Sequence, residues 1–270
     1  MSCVRSSTTT SRCRIFPATR PPRWTAIISS SHSVPMITEP CRLAHNQDPH
    51  RGAALALLPI GATIGYYSLP GSHQEELLVQ FAPQLLAYLA MSLWASRTFQ
   101  VLARLGLEKA KMGNGLKWGL ITGLLLGGLN TFVILSIYPS LGYDITFLKQ
   151  TPHGRLPVLL MVPWLIGGIA LFVELNFRGF LLGRLAELES SWWRTSSIQK
   201  IAPMALIASA VTFAFDPFMV NTFRHLHWIA LWDGFIWGSI WLRTRNLWIT
   251  IVAHTVEVII MYSTVRAAIG

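Results

Sequence analysis

The sequence predicts an all-α, polytopic transmembrane helical bundle of about seven spans, and three observations carry that expectation. Over its 270 residues the chain is 52% apolar and only 13% charged, with a mean hydropathy of +0.44. Soluble domains carry about 25% charged residues, so this chain has too little polar surface to cover a water-facing globule. From Gly52 onward the apolar residues gather into successive runs, most of them close to the ~20 residues that cross a bilayer as a helix. Finally, lysine and arginine concentrate in alternate connections between those runs.

The runs, in order, are Ala53–Leu69, Leu77–Ala95, Leu116–Tyr138, Leu156–Phe172, Ile201–Val220, Leu226–Leu242 and Leu247–Val265. The first and sixth are short. Pro59, Pro83, Pro163 and Pro203 interrupt several of them. Proline is tolerated in such helices where neighbours satisfy the freed carbonyls.

Residues 1–51 are of another kind, rich in Ser, Thr, Arg and Pro, with Glu39 the first acidic residue. They hold all three cysteines, Cys3, Cys13 and Cys41, at spacings that suggest neither a disulfide framework nor a zinc motif. No apolar core of signal-peptide length lies between the arginines. The segment reads as a disordered basic tail, an organelle-type presequence, or a reading frame opened upstream of a start at Met36. We therefore separate residues 1–51 from a transmembrane domain over residues 52–270.

Charge sets an expected topology. With seven crossings and a cytoplasmic N-terminus, the inner segments hold seven Lys/Arg before Gly52, five in Arg97–Lys117, four in Arg178–Lys200, and Arg243 with Arg245. Only Lys149, Arg155, Arg224 and Arg266 fall outside. The positive-inside rule then predicts an integral, multi-pass protein with its N-terminus cytoplasmic and its C-terminus outside. The net charge of +10 is accounted for by topology and the tail, so nucleic acid is not an expected partner. The expected surroundings are the lipid bilayer.

Small residues predict close helix packing. Gly115, Gly119, Gly123 and Gly127 recur every four residues along the third run, and Gly234 and Gly238 do so in the sixth. Trp228, Trp232, Trp237, Trp241 and Trp248 read as an interfacial belt plus packing rather than a ligand cage.

Ionisable residues within apolar runs are costly and mark functional sites or their supports. Glu174 and Arg178 stand four residues apart, on one helical face and in the better order for an ion pair. Such a pair would also simply lock a helix end. Asp216, in Phe215-Asp216-Pro217, is a carboxyl near a span end that would equally serve as a helix cap. His254 lies midway along the last run with Glu257 one turn further. His225 and His227 are secondary candidates in a short loop, where interfacial histidines are common. There is no His-Glu-x-x-His zinc signature, no Gly-x-Ser-Gly and no Gly-x-Gly-Asp. No inverted repeat or pair of broken helices supports a transporter.

The stretch from Glu174 to Leu185 resembles the first motif of the CPBP family, the CAAX-processing and bacteriocin-processing intramembrane peptidases, in which Glu-Glu-x-x-x-Arg precedes an apolar, glycine-containing helix. Gly234 to His254, with its basic turn and Asn246-Leu247-Trp248, resembles the family's third motif region. The order and spacing fit from about residue 156 to 265, two-fifths of the chain. The resemblance implies a glutamate-dependent peptidase in a helical bundle, with no cofactor required, acting on membrane-associated or prenylated peptides. In that family Glu and His activate water, and a second His and an Asn stabilise the oxyanion. Glu174 matches the motif's second Glu, Arg178 its Arg, Phe213 the Phe of Phe-x-x-x-His, and His254 the third-motif His. Val173 stands at the first Glu, Pro217 at the second-motif His and Val258 at the Asn, each with a carboxylate one residue away.

Two readings follow. In one, the peptidase centre is rebuilt from Glu174, Arg178, Asp216, His254 and Glu257, with Glu174 or Asp216 as base and His254 as donor or water-orienting group. The same carboxylates and histidines have the ligand types for a divalent metal. In the other, the scaffold persists without the chemistry, as a binding, immunity or assembly factor.

Overall fold

The computed structural model describes residues 52–161, 167–192 and 202–269. The expectations for residues 1–51, and for part of the fourth run, lie outside them. Every regular element among the described residues is helical. After a 3₁₀ turn at Ala53–Ala56 come α1 (Leu57–Tyr67), α2 (Leu77–Ala95), the short α3 (Val101–Leu105) and α4 (Met112–Phe132). Helix α4 runs on through a π turn, Val133–Ile137, to Ser140. Next are α5 (Gly167–Glu174), a π-helical stretch Leu175–Leu182, and α6 (Gly183–Trp192). The chain ends with α7 (Pro203–Ala214), α8 (Pro217–Phe223), α9 (His227–Thr244) and α10 (Leu247–Ile269).

The helical, membrane-type architecture stands, but the count of seven spans does not. Among the described residues three helical segments are long and apolar enough to cross a bilayer: Leu77–Ala95, Val101–Ser140 and Leu247–Ile269. A fourth arises if Pro203–Ala214 and Pro217–Thr244, bent by 49° at their junction, form one broken span. Apolar composition overcounted for a local reason. Proline at the first turn starts a helix well, because its missing N–H has no intrahelical role there. Pro203 and Pro217 open α7 and α8 in this way, and Asp216 caps the second, which splits the fifth run. The first run yields a helix of only 11 residues beyond its 3₁₀ turn.

Two close helix pairs form the centre, and glycine makes both. The α4 stripe lies against α10 in parallel register, Gly119 facing Val252, Gly123 facing Val256 and Gly127 facing Ile260. A β-carbon on Gly119 would sit 2.6 Å from that of Val252, and one on Gly123 2.7 Å from the Ala253 carbonyl oxygen. No side chain fits there, so the backbones touch. Helices α7 and α9 pack antiparallel, Gly234 against Ala210 and Gly238 against Leu206. Between these pairs the π stretch carries Phe177, Leu181 and Leu182 into a core with Phe213, Trp237, Trp241, Leu247 and Ile251. The other face of α4 leaves Leu116, Leu120 and Leu124 exposed, as a lipid-facing surface requires.

One end of the bundle is tied by backbone contact. Gly106 adopts φ +87°, and a β-carbon there would come within 2.9 Å of the Arg245 carbonyl oxygen. The Gly106 oxygen accepts from Leu247 N at 3.0 Å, and Trp241 Nε1 donates to Leu105 O. The α3–α4 connection is thereby fixed to the α9–α10 turn.

Gly123→Val should destabilise the protein by about 1–3 kcal/mol through overpacking. A β-carbon added at Gly128 would meet nothing within 4 Å, so Gly128→Ala should be neutral or slightly stabilising. Thermal unfolding of both variants in detergent micelles measures the contrast.

Candidate active site

The π-helical stretch is where the site is built. It begins directly after Glu174, and each turn there is one residue wider than in an α-helix. Glu174 and Arg178 are 0% and 1% exposed, and Arg178 Nη1 lies 3.1 Å from Glu174 Oε1. That approach is an ion-pair contact. Neither Nη1 nor Nη2 meets an acceptor in hydrogen-bond geometry among the described residues. The guanidinium lies instead over two aromatic faces, 4.2 Å from the Phe213 ring centroid and 5.0 Å from that of Trp237. Cation–π contact is strengthened when the cation is stripped of water, as here.

His254, from α10, completes this group. Its Nδ1 lies 3.0 Å from Glu174 Oε1, and its ring stacks on Trp237 with centroids 4.6 Å apart. One carboxylate oxygen thus faces both a guanidinium and an imidazole, while Oε2 has no hydrogen-bond partner among the described residues. With Nδ1 held, Nε2 is the nitrogen left for a reacting group. His254 is also the member with residual exposure, 11% of its side chain against 0% for that of Glu174.

Glu257 belongs to a second, adjoining cluster that sequence reasoning missed in part. Asp233 from α9 and Asn130 from α4 join it, and all three are buried. Asn130 Nδ2 donates to both Asp233 oxygens, at 3.2 and 3.3 Å, and to Glu257 Oε1. Asn130 Oδ1 accepts from Trp232 Nε1 at 3.0 Å. Asn130 thus bridges two carboxyl groups carried by two other helices. Arg178 lies within electrostatic range of both acids, which couples the clusters. The signal for Asp233 was available, since it is an acid inside an apolar run just before Gly234. Asn130 carried none beyond its place after the glycine stripe.

Asp216 sits among other neighbours. Its Oδ1 accepts from Phe218 N at 3.1 Å and Met219 N at 3.4 Å, capping α8, and from Gln84 Nε2 at 2.8 Å. No hydrogen bond or ion pair among the described residues joins it to Glu174 or His254. His225 is layered with Tyr138 and Tyr143, and His227 with Trp228, in the manner of interfacial aromatic packing. Among the described residues no three His, Cys, Asp or Glu side chains converge as a metal site requires.

Apolar helices of membrane-spanning length are arranged around buried ionisable groups, which defines a polytopic helical protein of membrane type. Residues 155–260 match the family model described as type II CAAX prenyl endopeptidase Rce1-like, and over that segment the chain is similar to that family. The matched segment contains Glu174, Arg178, Asp216, Asp233, His254 and Glu257, and leaves out Asn130. No curated protein and no solved structure matches the chain.

Removing one partner of a buried ion pair strands the other, which costs about 3–5 kcal/mol. Arg178→Met should therefore destabilise strongly, and Glu174→Gln/Arg178→Met should recover much of the loss. Unfolding of both in detergent measures it. A double variant no more stable than the single one would show that Arg178 acts mainly through its aromatic contacts.

Proposed function

We propose that the protein is a CAAX-protease-like intramembrane endopeptidase in which His254 is the working group and Glu174 its positioning partner. The observation that carries this is the 3.0 Å contact between Glu174 Oε1 and His254 Nδ1. A carboxylate on one ring nitrogen fixes the tautomer and orientation and stabilises the imidazolium that forms when the other nitrogen takes a proton. In the proposed reaction Nε2 accepts a proton from water as its oxygen attacks the peptide carbonyl carbon. The C–N bond then breaks, and the proton passes from Nε2 to the leaving amine. Arg178 keeps Glu174 ionised by pairing with it, and the Phe213 and Trp237 faces compensate the guanidinium. This assigns the base role to His254, because Glu174 is sealed and already engaged on Oε1. The substrate class follows the family: a membrane-associated or prenylated peptide. The basic connections Arg97–Lys117 and Arg243–Arg245 meet at one end of the bundle, which we place on the cytoplasmic side.

A second reading has its own support. Val173, Pro217 and Val258 are apolar at the three positions where the family's polar groups are expected, and the nearby Asp216 is engaged as a helix cap. On that reading the ionic centre only holds the helices, and the protein is a binding, immunity or assembly factor in the membrane.

Cleavage of farnesylated and unmodified membrane peptides by the full chain in lipid nanodiscs separates the readings. On the peptidase reading His254→Ala lowers kcat by about 10²–10⁴-fold, the range of general acid–base catalysis. Glu174→Gln should lower kcat more than it raises KM, and Asp216→Asn should leave cleavage intact. Folded wild-type protein that cleaves nothing across pH would establish the scaffold reading.

A further inference from the structure

Away from the ionic centre, at the basic end of the bundle, Gly52, Leu55, Leu93, Trp94, Arg97 and Thr98 line a small cleft of about 40 Å³, partly open to the surroundings. Three features of it bear on a ligand. Trp94 is 2% exposed, yet its Nε1 has no hydrogen-bond partner among the described residues. A β-carbon on Gly52 would lie 3.3 Å from Trp94 Cδ1, the atom bonded to that nitrogen, so the N–H edge of the indole faces the Gly52 side of the cleft. A buried indole N–H ordinarily finds an acceptor. Arg97 supplies a cation at the same cleft, while a face of the indole is covered by the Arg184 guanidinium, 4.6 Å from its ring. The indole N–H and the Arg97 guanidinium are both donors, and together they suit an anion.

The approach to the cleft says which anion. Leu85, Leu89 and Leu93 are 59%, 55% and 38% exposed and recur every four residues on α2, with Arg97 next in the same series. That spacing sets them in one row along a helical face. From Leu85 to Leu93 the row runs about 12 Å at 1.5 Å per residue. It forms an apolar track of acyl-chain dimensions that ends at a guanidinium. A free phosphate would have no use for it.

We propose that this cleft binds one anionic phospholipid, its phosphate held by Arg97 and the Trp94 N–H and an acyl chain laid along Leu85, Leu89 and Leu93. The proposal is independent of whether the ionic centre cleaves peptides. An arginine that merely reached for the bilayer surface would need neither the cleft nor the indole edge.

The test is native mass spectrometry of the full chain in detergent, titrated with phosphatidylglycerol or phosphatidylcholine. The expected result is one retained phosphatidylglycerol, bound about fivefold more tightly than phosphatidylcholine, whose choline cation offsets the phosphate charge that Arg97 meets. Arg97→Gln, at an exposed position that should fold normally, should weaken phosphatidylglycerol about fivefold, the order of one basic residue at a membrane surface. Trp94→Phe keeps an aromatic ring, removes the donor, and should weaken it by a similar factor. Lys109→Gln, at the same basic end but outside the cleft, should leave binding unchanged. Equal binding of the two lipids, or equal effects of Arg97→Gln and Lys109→Gln, would overturn the proposal. So would displacement of the lipid by millimolar inorganic phosphate, which would make the cleft a site for the free anion.

Discussion

The fold depends on a charge that is expensive to bury. Arg178 lies at the centre of the bundle with 1% of its surface exposed. An ion there keeps its charge only if its surroundings replace water. Glu174 supplies the counter-charge at 3.1 Å, and Phe213 and Trp237 supply ring faces. These contacts draw together the junction of α5 with the π stretch, α7 and α9. Each must be in place for the guanidinium to be tolerated, so the ion pair specifies how these helices meet even if it adds little net stability.

The second cluster depends on the glycine stripe. Asn130 follows Gly127 by three residues on α4, and a β-carbon on Gly127 would lie 3.1 Å from Glu257 Cα. Because no side chain separates the two backbones, the short Asn130 amide reaches two acids on two other helices. Its two donors and one acceptor are all used, on Asp233, Glu257 and Trp232. A polar network of this kind in an apolar medium is directional in a way that packing is not. It fixes the register of α4 on α10, which the smooth glycine face alone would leave free to slide.

The helical membrane class, the glycine stripes and the Glu174–Arg178 pair were legible in the sequence because each rests on a local pattern. Glycine at every fourth residue predicted a close helix contact; it could not say that α10 was the partner, which is a tertiary fact. The span count failed in the fifth run, where Asp216 and Pro217 start a new helix inside what reads as one apolar stretch. Asp216 illustrates the limit in the other direction. A carboxyl at the end of an apolar run has one sequence signature whether it caps a helix or does chemistry, and only the Phe218 and Met219 amides distinguish them. Asp233 stood unnoticed among tryptophans because no motif pairs it with Glu257, 24 positions later.

The two clusters divide the labour of burial and reactivity. Glu174 is enclosed against Arg178 and His254, and Asn130 joins the equally enclosed Asp233 and Glu257, so a change in any of them is felt first as stability. His254 differs: it leans on the sealed network through Nδ1, stacks on Trp237 and retains some exposure. A group that is to react must be held on one side and open on the other, and among the ionisable residues of this centre His254 has that combination. The same geometry explains how a chain with Val173, Pro217 and Val258 in place of polar groups can keep so many buried charges. They hold the helices around His254, a task that persists whether or not water is activated there.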